Sequence, residues 1–150
     1  MVIESGKTIL LDTNCFIYYF EDNEAYADKL ESIFENIQAG KNKAYMSVLS
    51  LLEILVKPKK ENNIFLENRY KLILSNYPNL SIVDVSFGIS DIAARLRGEY
   101  SVKTPDAIIL ATGIGMKADY FITNDIRLKK ICEKEDIQIV NLNEEIEEIS

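Results

Sequence analysis

Short apolar runs alternate along the chain with longer segments in which apolar residues recur every three or four positions. The runs predict buried strands at 8–11, 43–47, 80–85, 120–123 and 137–142. The periodic segments predict helices at 14–20, 26–37, 48–56, 66–77, 89–96, 107–118 and 128–133. Strands that are separated by helical segments of about ten residues or more pair in parallel through right-handed crossovers. The sequence therefore predicts an α/β fold with a central, mostly parallel sheet between two layers of helices.

Capping and breaking residues predict where several of these helices begin and end. Gly40 should end the second helix, and Pro58 should end the third. Thr104 is expected to cap the sixth helix, with Pro105 as its first residue. The acidic end of the chain, residues 143–150, is expected to be solvated or frayed.

Length and composition predict a single domain over residues 1–150. A chain of 150 residues can bury roughly 70% of the surface that its unfolded form exposes, so no disulfide or structural metal is needed. We see no apolar run long enough for a membrane span and no signal peptide, and we expect a cytoplasmic protein. Cys15 and Cys132 have neither metal-site nor redox-motif spacing and are expected to be reduced thiols in helices.

The chain has no His and a net charge of −7. The lack of His excludes Ser-His-Asp and Cys-His nucleophiles, imidazole bases and His-ligated zinc. The negative charge argues against binding of nucleic acid by a broad cationic surface, although a local basic stripe remains compatible with it. Any catalysis must therefore depend on carboxylates.

Four acids stand beside strand or helix ends. Asp12 follows the first strand and Asp125 the fourth, Asp106 lies in the first turn of the sixth helix, and Glu53 lies within the apolar third helix. The three Asp residues have ordinary alternatives, because Asp12 and Asp125 can cap helices and an acid in a first turn, such as Asp106, is favoured by the helix dipole. Glu53 is expected to be partly buried and to need a partner. A parallel sheet would gather all four at the carboxyl ends of its strands.

Several carboxylates that lie close together need a cation to neutralise them. Oxygen ligands without Cys or His suit Mg²⁺ or Mn²⁺, which keep several waters and accept phosphate oxygens as further ligands. Such a site can activate water for the hydrolysis of phosphodiesters.

The motifs that carry these acids resemble the PIN-domain nuclease family, and within it the small toxins of the VapC type. They are Leu-Asp-Thr-Asn at 11–14, Ser-Val-Leu-Ser-Leu-Leu-Glu at 47–53, Thr-Pro-Asp-Ala-Ile-Ile-Leu-Ala-Thr at 104–112 and Ile-Thr-Asn-Asp at 122–125. The resemblance implies that Asp12, Glu53, Asp106 and Asp125 hold Mg²⁺ or Mn²⁺. It also implies a PIN-type sheet, an endoribonuclease that leaves a 5′-phosphate, a homodimer and inhibition by a cognate antitoxin.

Two polar residues match the family's positions beside the acids. The resemblance assigns Asn14 to orient Asp12 or a water on the metal, and Thr123 to support the ligands with its hydroxyl. A helix-start Asn and a strand-end Thr without such roles remain the alternatives.

Two basic clusters are candidates for contacting RNA phosphates near the acids, or are solvated surface charges. The first is Lys57, Lys59 and Lys60, just after the helix that carries Glu53. The second is Arg95, Arg97 and Lys103, which approach Asp106 along the chain.

Two other functions remain open. One is a PIN-like module that binds RNA or protein without cutting it, against which the presence of all four acids argues. The other is an acid-pocket phosphotransfer protein, either a receiver domain or an aspartyl phosphatase. The phosphatase needs an Asp two residues after the first, where this chain has Asn14, and the residues of a receiver cannot be placed.

Overall fold

Five parallel strands form one sheet in the computed structural model, which describes residues 2–144 and 147–148. A separate parallel pair joins β1 (Val2–Ile3) to β7 (Glu147–Glu148). The main sheet contains β2 (Thr8–Leu11), β3 (Lys43–Ser47), β4 (Leu80–Val83), β5 (Tyr120–Thr123) and β6 (Gln138–Asn141). Its spatial order is β4-β3-β2-β5-β6, so β2 lies at the centre.

Helices connect the strands. They are α1 (Thr13–Phe20), α2 (Ala27–Gln38), α3 (Val48–Lys60), α4 (Ile64–Asn76), α5 (Phe87–Tyr100), α6 (Thr104–Gly115) and α7 (Lys129–Lys134), with a 3₁₀ turn at Ile126–Leu128 before α7.

The side chains of β2 alternate between two cores. Ile9 and Leu11 pack in one cluster with Phe16 of α1, whereas Leu10 packs in a second cluster with Leu110 of α6. This period of two shows that the sheet is covered on both faces, which is why β2 reads as a continuous apolar run. The predicted α/β fold with a parallel sheet between two layers of helices is confirmed.

Two of the helix ends predicted from capping and breaking residues are wrong. Pro58 does not end α3 but lies buried in its last turn, which continues to Lys60. One missing N–H so close to the helix end is tolerated, and the Pro58 carbonyl still accepts from the Asn63 N–H at 2.8 Å. At α6 the cap is Lys103, whose carbonyl accepts from the Ala107 N–H at 2.9 Å, so Thr104 is the first helical residue rather than the cap.

The predicted frayed end, 143–150, lies partly outside the described residues, at 145, 146, 149 and 150. Within it, Glu147 and Glu148 pair in register with Val2 and Ile3, so fraying is wrong at these two residues. The sequence gives no local sign of so short a pair. Asn143 and Glu144 are exposed, as expected.

The two cysteines are buried and unpaired in α1 and α7, as predicted. The Cys15 thiol donates to the Ile122 carbonyl of β5 at 3.2 Å. Across residues 2–144 and 147–148, none of the helices combines the length and the apolar character that a membrane crossing requires.

Candidate active site

Asp12 follows β2 at the carboxyl end of the central strand. Its N–H donates to the Ile122 carbonyl at 3.1 Å, which continues the β2–β5 pairing up to the acid. The side chain caps α1, because Oδ1 accepts from the Thr13 N–H at 2.8 Å. The capping alternative and the site role therefore apply to the same carboxylate.

Burial raises the pKa of Asp12 above its usual range. Hydrogen bonds from the Thr123 hydroxyl and the Thr13 N–H act in the opposite direction, and the charges of Asp106 and Glu53 raise the pKa further. Asp106 and Glu53 therefore lie close enough to Asp12 to repel its carboxylate electrostatically. The sheet brings together acids that are far apart in sequence.

Thr123 ends β5 with a fully buried side chain. Its hydroxyl donates to Asp12 Oδ2 at 2.6 Å and accepts from the Asp125 N–H at 3.0 Å. The hydroxyl thus fixes the orientation of Asp12 and the start of the loop that carries Asp125. This is the position that the resemblance gives to a supporting residue.

Asp106 lies half-buried in the first turn of α6. Burial raises the pKa of its carboxyl, and the charge of Asp125 raises it further, whereas the charges of Arg127 and Lys103 lower it. Asp106 therefore interacts electrostatically with Asp12 on one side and with Asp125 on the other.

Asp125 is paired with a cation of its own chain. Arg127 donates from Nη2 to Oδ2 at 2.6 Å and from Nε to Oδ1 at 2.9 Å. These bonds are the main reason why the pKa of Asp125 is lowered. Asp125 also caps the 3₁₀ turn through the Arg127 N–H, so its capping alternative holds as well.

Glu53 is exposed, and the expectation that it is partly buried is wrong. α3 turns Ile54 and Leu55 inward, and Leu52, the residue before Glu53, is itself 60% exposed. Apolar neighbours in the sequence therefore did not indicate burial. Glu53 does have a partner, because the Thr13 hydroxyl donates to Oε1 at 2.9 Å.

Thr13 and Ser50 form a link between α1 and α3 that sequence reasoning missed. Both side chains are buried, and their hydroxyl oxygens lie 2.8 Å apart. The Thr13 hydroxyl donates its proton to Glu53, so the Ser50 hydroxyl must donate to the Thr13 hydroxyl oxygen. A Thr immediately after Asp12 and a Ser three residues before Glu53 were the available signals.

Replacing Thr13 with Val should loosen Glu53 and leave Ser50 without its acceptor. We expect the free energy of unfolding in urea to fall by about 1–3 kcal/mol, because a buried hydroxyl loses its partner. Thr13→Ser, which keeps the hydroxyl, is the matched control. Equal stability of the Val variant and the wild type would contradict the role assigned to this link.

Asn14 lies beside the acids on α1. Its Nδ2 donates to Asn124 Oδ1 at 3.3 Å, and Asn124 donates in turn to the Tyr18 hydroxyl at 2.9 Å. Tyr18 stacks on Tyr26 with 4.9 Å between ring centroids. The described partner of Asn14 is therefore an amide next to Asp125. Its assigned role in orienting Asp12 or a water on the metal stays a prediction.

The consecutive aromatic residues Tyr18, Tyr19 and Phe20 near the end of α1 are half-buried. Tyr19 packs on Phe34 of the core at 4.4 Å between centroids, and Phe20 stacks on Tyr70 of α4 at 4.6 Å. Phe20 also lines a cleft together with Glu53. The cluster thus joins the core to the rim of the acid site.

The donor set fits a hard divalent cation, since it offers only oxygen atoms and carries charges that repel one another. It is not a closed cage: within the part of the chain that the structure describes, no three acidic or thiol side chains converge tightly enough to hold an ion. The ion pair between Asp125 and Arg127 engages one of the four carboxylates. The residues that could hold Mg²⁺ or Mn²⁺ are Asp12, Asp106, Asp125 and Glu53.

Most of the basic candidates are engaged elsewhere. Lys57 pairs with Glu21 at 3.1 Å, and Lys59 pairs with Glu67. In the second cluster, Arg95 pairs with Glu135, and Arg97 Nε donates to the Val102 carbonyl. Lys60 is exposed at the end of α3. Lys103 is the candidate whose charge reaches Asp106.

The ion pair of Arg95 gives a pH-dependent contribution to stability. Arg95 Nη2 and the Tyr100 hydroxyl donate to Glu135 at 2.5 and 2.8 Å, and the bond from Arg95 is the main cause of the lowered pKa of Glu135. A lowered pKa in the folded state stabilises the protein above the pKa of the unfolded chain. That contribution is lost as the pH falls through the lowered value.

Glu135→Gln should therefore cost about 0.5–1 kcal/mol of unfolding free energy near neutral pH, where the pair is charged. The difference from the wild type should shrink as the pH falls below about 4. Melting temperatures of the wild type and Glu135→Gln, measured from neutral pH to below about pH 4, test this pH dependence, with Glu133→Gln at an exposed position as control. A difference that stayed constant with pH would exclude the ion pair as its cause.

Comparisons with known proteins identify the family and the fold. The family model for the PIN domain matches residues 9–134. A chain of a toxin-antitoxin complex from Klebsiella pneumoniae shares 28% identity at a TM-score of 0.69, over 91% of this chain and 99% of that one.

Two further solved structures share the fold at lower identity. A chain of VapBC2 from Rickettsia felis, solved with a DNA fragment from the promoter, is 23% identical at a TM-score of 0.67, over 89% of this chain and 98% of that one. A chain of FitAcB from Neisseria gonorrhoeae is 21% identical at a TM-score of 0.65, over 89% of this chain and 97% of that one. No curated protein matches the sequence.

The PIN model runs from β2 into α7 and so includes all four acids and every strand of the main sheet except β6. The chain belongs to the PIN domain family.

Proposed function

We propose that this chain, as one nuclease domain, is a Mg²⁺- or Mn²⁺-dependent endoribonuclease. The observation that carries the proposal is the half-buried Asp12 at the end of the central strand, whose negative charge is disfavoured by the charges of Asp106 and Glu53. Carboxylates that repel one another at this edge of a parallel sheet favour a bound cation. A divalent cation held there would neutralise phosphate charge and lower the pKa of the attacking water.

The chain's own residues prepare this edge in three ways. Thr123 and the Thr13 N–H hold the two oxygens of Asp12 in a fixed orientation. The Thr13 hydroxyl directs Glu53 towards the same edge. Lys103, at the start of α6, supplies a positive charge beside Asp106 where an RNA phosphate would approach.

The test is cleavage of a panel of single-stranded and structured RNAs by the purified chain. We expect cleavage with Mg²⁺ or Mn²⁺, none after chelation with EDTA, and products that carry a 5′-phosphate. RNA binding without cleavage in either metal would favour the non-catalytic PIN-like module instead.

We further propose that the chain is the toxin of a toxin-antitoxin pair, which the likeness to the Klebsiella pneumoniae complex supports. The cleft beside Glu53 offers an apolar wall of Ile17, Phe20 and Tyr70 to an antitoxin segment. Induced expression should arrest bacterial growth, and Asp12→Asn should relieve the arrest. Normal growth during expression of the wild type would contradict the toxin assignment, and arrest that persists with Asp12→Asn would contradict its dependence on the acid site.

We also propose that the chain associates with a second copy of itself as a homodimer. The outer face of α3 and the loop after β4 form an almost wholly apolar surface depression lined by Leu52, Leu55 and Val85. Leu52 is 60% exposed, and nearby Phe87 is 93% exposed. Such a patch suits self-association, and sedimentation of Leu52→Glu as a monomer beside a dimeric wild type would support it.

A further inference from the structure

We propose that Arg127 is a positioning residue that couples RNA binding to cation binding. It occupies Asp125 while the site is without substrate, and it releases Asp125 when an RNA phosphate takes its guanidinium. The proposal rests on the proposed function, since it assigns the phosphate of the RNA substrate as the group that Arg127 exchanges for Asp125.

The contacts of Arg127 engage both oxygens of Asp125. Nε lies 2.9 Å from Oδ1 and 3.1 Å from Oδ2, and Nη2 lies 2.6 Å from Oδ2. The Arg127 N–H adds a bond to Oδ1 at 3.0 Å. A cation that uses Asp125 must therefore compete with the guanidinium for the same oxygens.

The pair of Arg127 and Asp125 also helps to explain why the acids do not form a closed cation site. Asp125 interacts electrostatically with Asp106, but no three acidic or thiol groups in the described residues form a closed cation site. Because Arg127 holds Asp125 and its positive charge also acts on Asp106, it partly supplies the charge that a metal would supply.

The exposure of the Arg127 side chain makes it feasible for the guanidinium to exchange Asp125 for an RNA phosphate. The Arg127 side chain is 75% exposed and that of Asp125 is 22% exposed, so the guanidinium lies on the solvent side of the acid. An exposed ion pair contributes little net free energy, and breaking it costs little. A guanidinium binds phosphate with the same two-pronged geometry that it uses for a carboxylate. RNA arriving at this edge therefore offers Arg127 an equivalent partner.

The coupling can be measured by Mn²⁺ titration of the full chain, with free Mn²⁺ detected by electron paramagnetic resonance. The proteins are the wild type, Arg127→Gln, Arg127→Lys, and Lys130→Gln as a control that removes the same charge from an exposed position in α7. Each is titrated alone and with a hydrolysis-resistant phosphorothioate oligoribonucleotide.

Without the oligonucleotide, Arg127→Gln should bind Mn²⁺ about threefold to tenfold more tightly than the wild type, as expected for loss of an exposed two-pronged competitor. The Mn²⁺ affinity of Arg127→Lys should lie between those of the wild type and Arg127→Gln, and the affinity of Lys130→Gln should equal that of the wild type. The oligonucleotide should tighten Mn²⁺ binding by the wild type more than by Arg127→Gln, because in the variant the phosphate oxygens add ligands for the ion but no guanidinium has to be moved off Asp125.

Equal Mn²⁺ affinity of the wild type and Arg127→Gln, or equal tightening of both by the oligonucleotide, would overturn the proposal. If the wild type cleaves RNA but either of these two outcomes is observed, the nuclease function stands without the coupling. The expected Mn²⁺ results without any RNA cleavage would instead refute the nuclease function and leave the exchange at Asp125 intact. No Mn²⁺ binding by any variant would overturn both.

Discussion

Asp12→Asn should reduce metal-dependent RNA cleavage by about 10²- to 10³-fold or more, the range seen when a group that stabilises the transition state electrostatically is removed. The amide keeps the shape of the side chain and an oxygen that can accept from the Thr13 N–H, but it removes the charge that would hold a cation. Initial rates at saturating Mg²⁺ measure the effect.

The same substitution should not destabilise the fold. Because the folded state raises the pKa of Asp12, the charged carboxylate opposes folding at neutral pH, and its replacement by a neutral group relieves that cost. This gain is opposed by the Thr123 hydroxyl, which donates to Oδ2 and loses that acceptor when the oxygen becomes an amide nitrogen, so we expect Asp12→Asn to melt close to the temperature of the wild type. Asp91→Asn, on the exposed face of α5, is the control for both measurements. Cleavage by Asp12→Asn at the wild-type rate would rule out the assigned site.

Gly113→Ala should lower the free energy of unfolding by about 1–3 kcal/mol, the usual cost of overpacking a core. A Cβ at Gly113 would lie 2.7 Å from Cδ2 of Leu10, which is fully buried in β2. α6 packs against the central strand at this point, and Asp12 stands two residues after Leu10. The substitution therefore strains the layer that brings Asp106 and Asp12 together.

Gly98→Ala in α5 is the matched control with the opposite sign. A Cβ there meets no atom within 4 Å, so only the better helix propensity of Ala remains. We expect a gain of about 0.5–1 kcal/mol. Urea unfolding of both variants compares a helical Gly that is packed against a strand with one that is not. A gain in stability for Gly113→Ala would contradict the close packing of α6 on β2.

The placement of the acids could be predicted because it follows from local pattern and topology. An apolar run that stops at Asp12 is a strand whose end faces the sheet edge, and parallel pairing puts the end of β5 beside it. That reasoning needs no side-chain detail, which is why it locates Asp12 and Asp125 correctly at neighbouring strand ends.

Contacts between distant segments could not be predicted in the same way. The Thr13–Ser50 link depends on how α1 packs against α3, and the exposure of Glu53 depends on which side of α3 faces outward. The composition around Glu53 gave the wrong answer because Leu52 belongs to an exposed apolar patch rather than to the core.

Arg127 shows a different limit. An Arg two residues after Asp125 is visible in the sequence, but spacing alone does not distinguish a solvated side chain from one that engages both carboxylate oxygens. The backbone turn at Ile126–Leu128 decides this, because it folds Arg127 back over Asp125. A short 3₁₀ turn has no strong sequence signal.

The central claim is that the carboxyl edge of the sheet binds a divalent cation through these acids. The most direct test is anomalous diffraction at the manganese edge from crystals of the full chain soaked in Mn²⁺. We predict an anomalous peak in contact with Asp12 and Asp106 that is lost in crystals of Asp12→Asn. A soaked wild-type crystal with no peak at these carboxylates, or an unchanged peak in the variant, would contradict the claim.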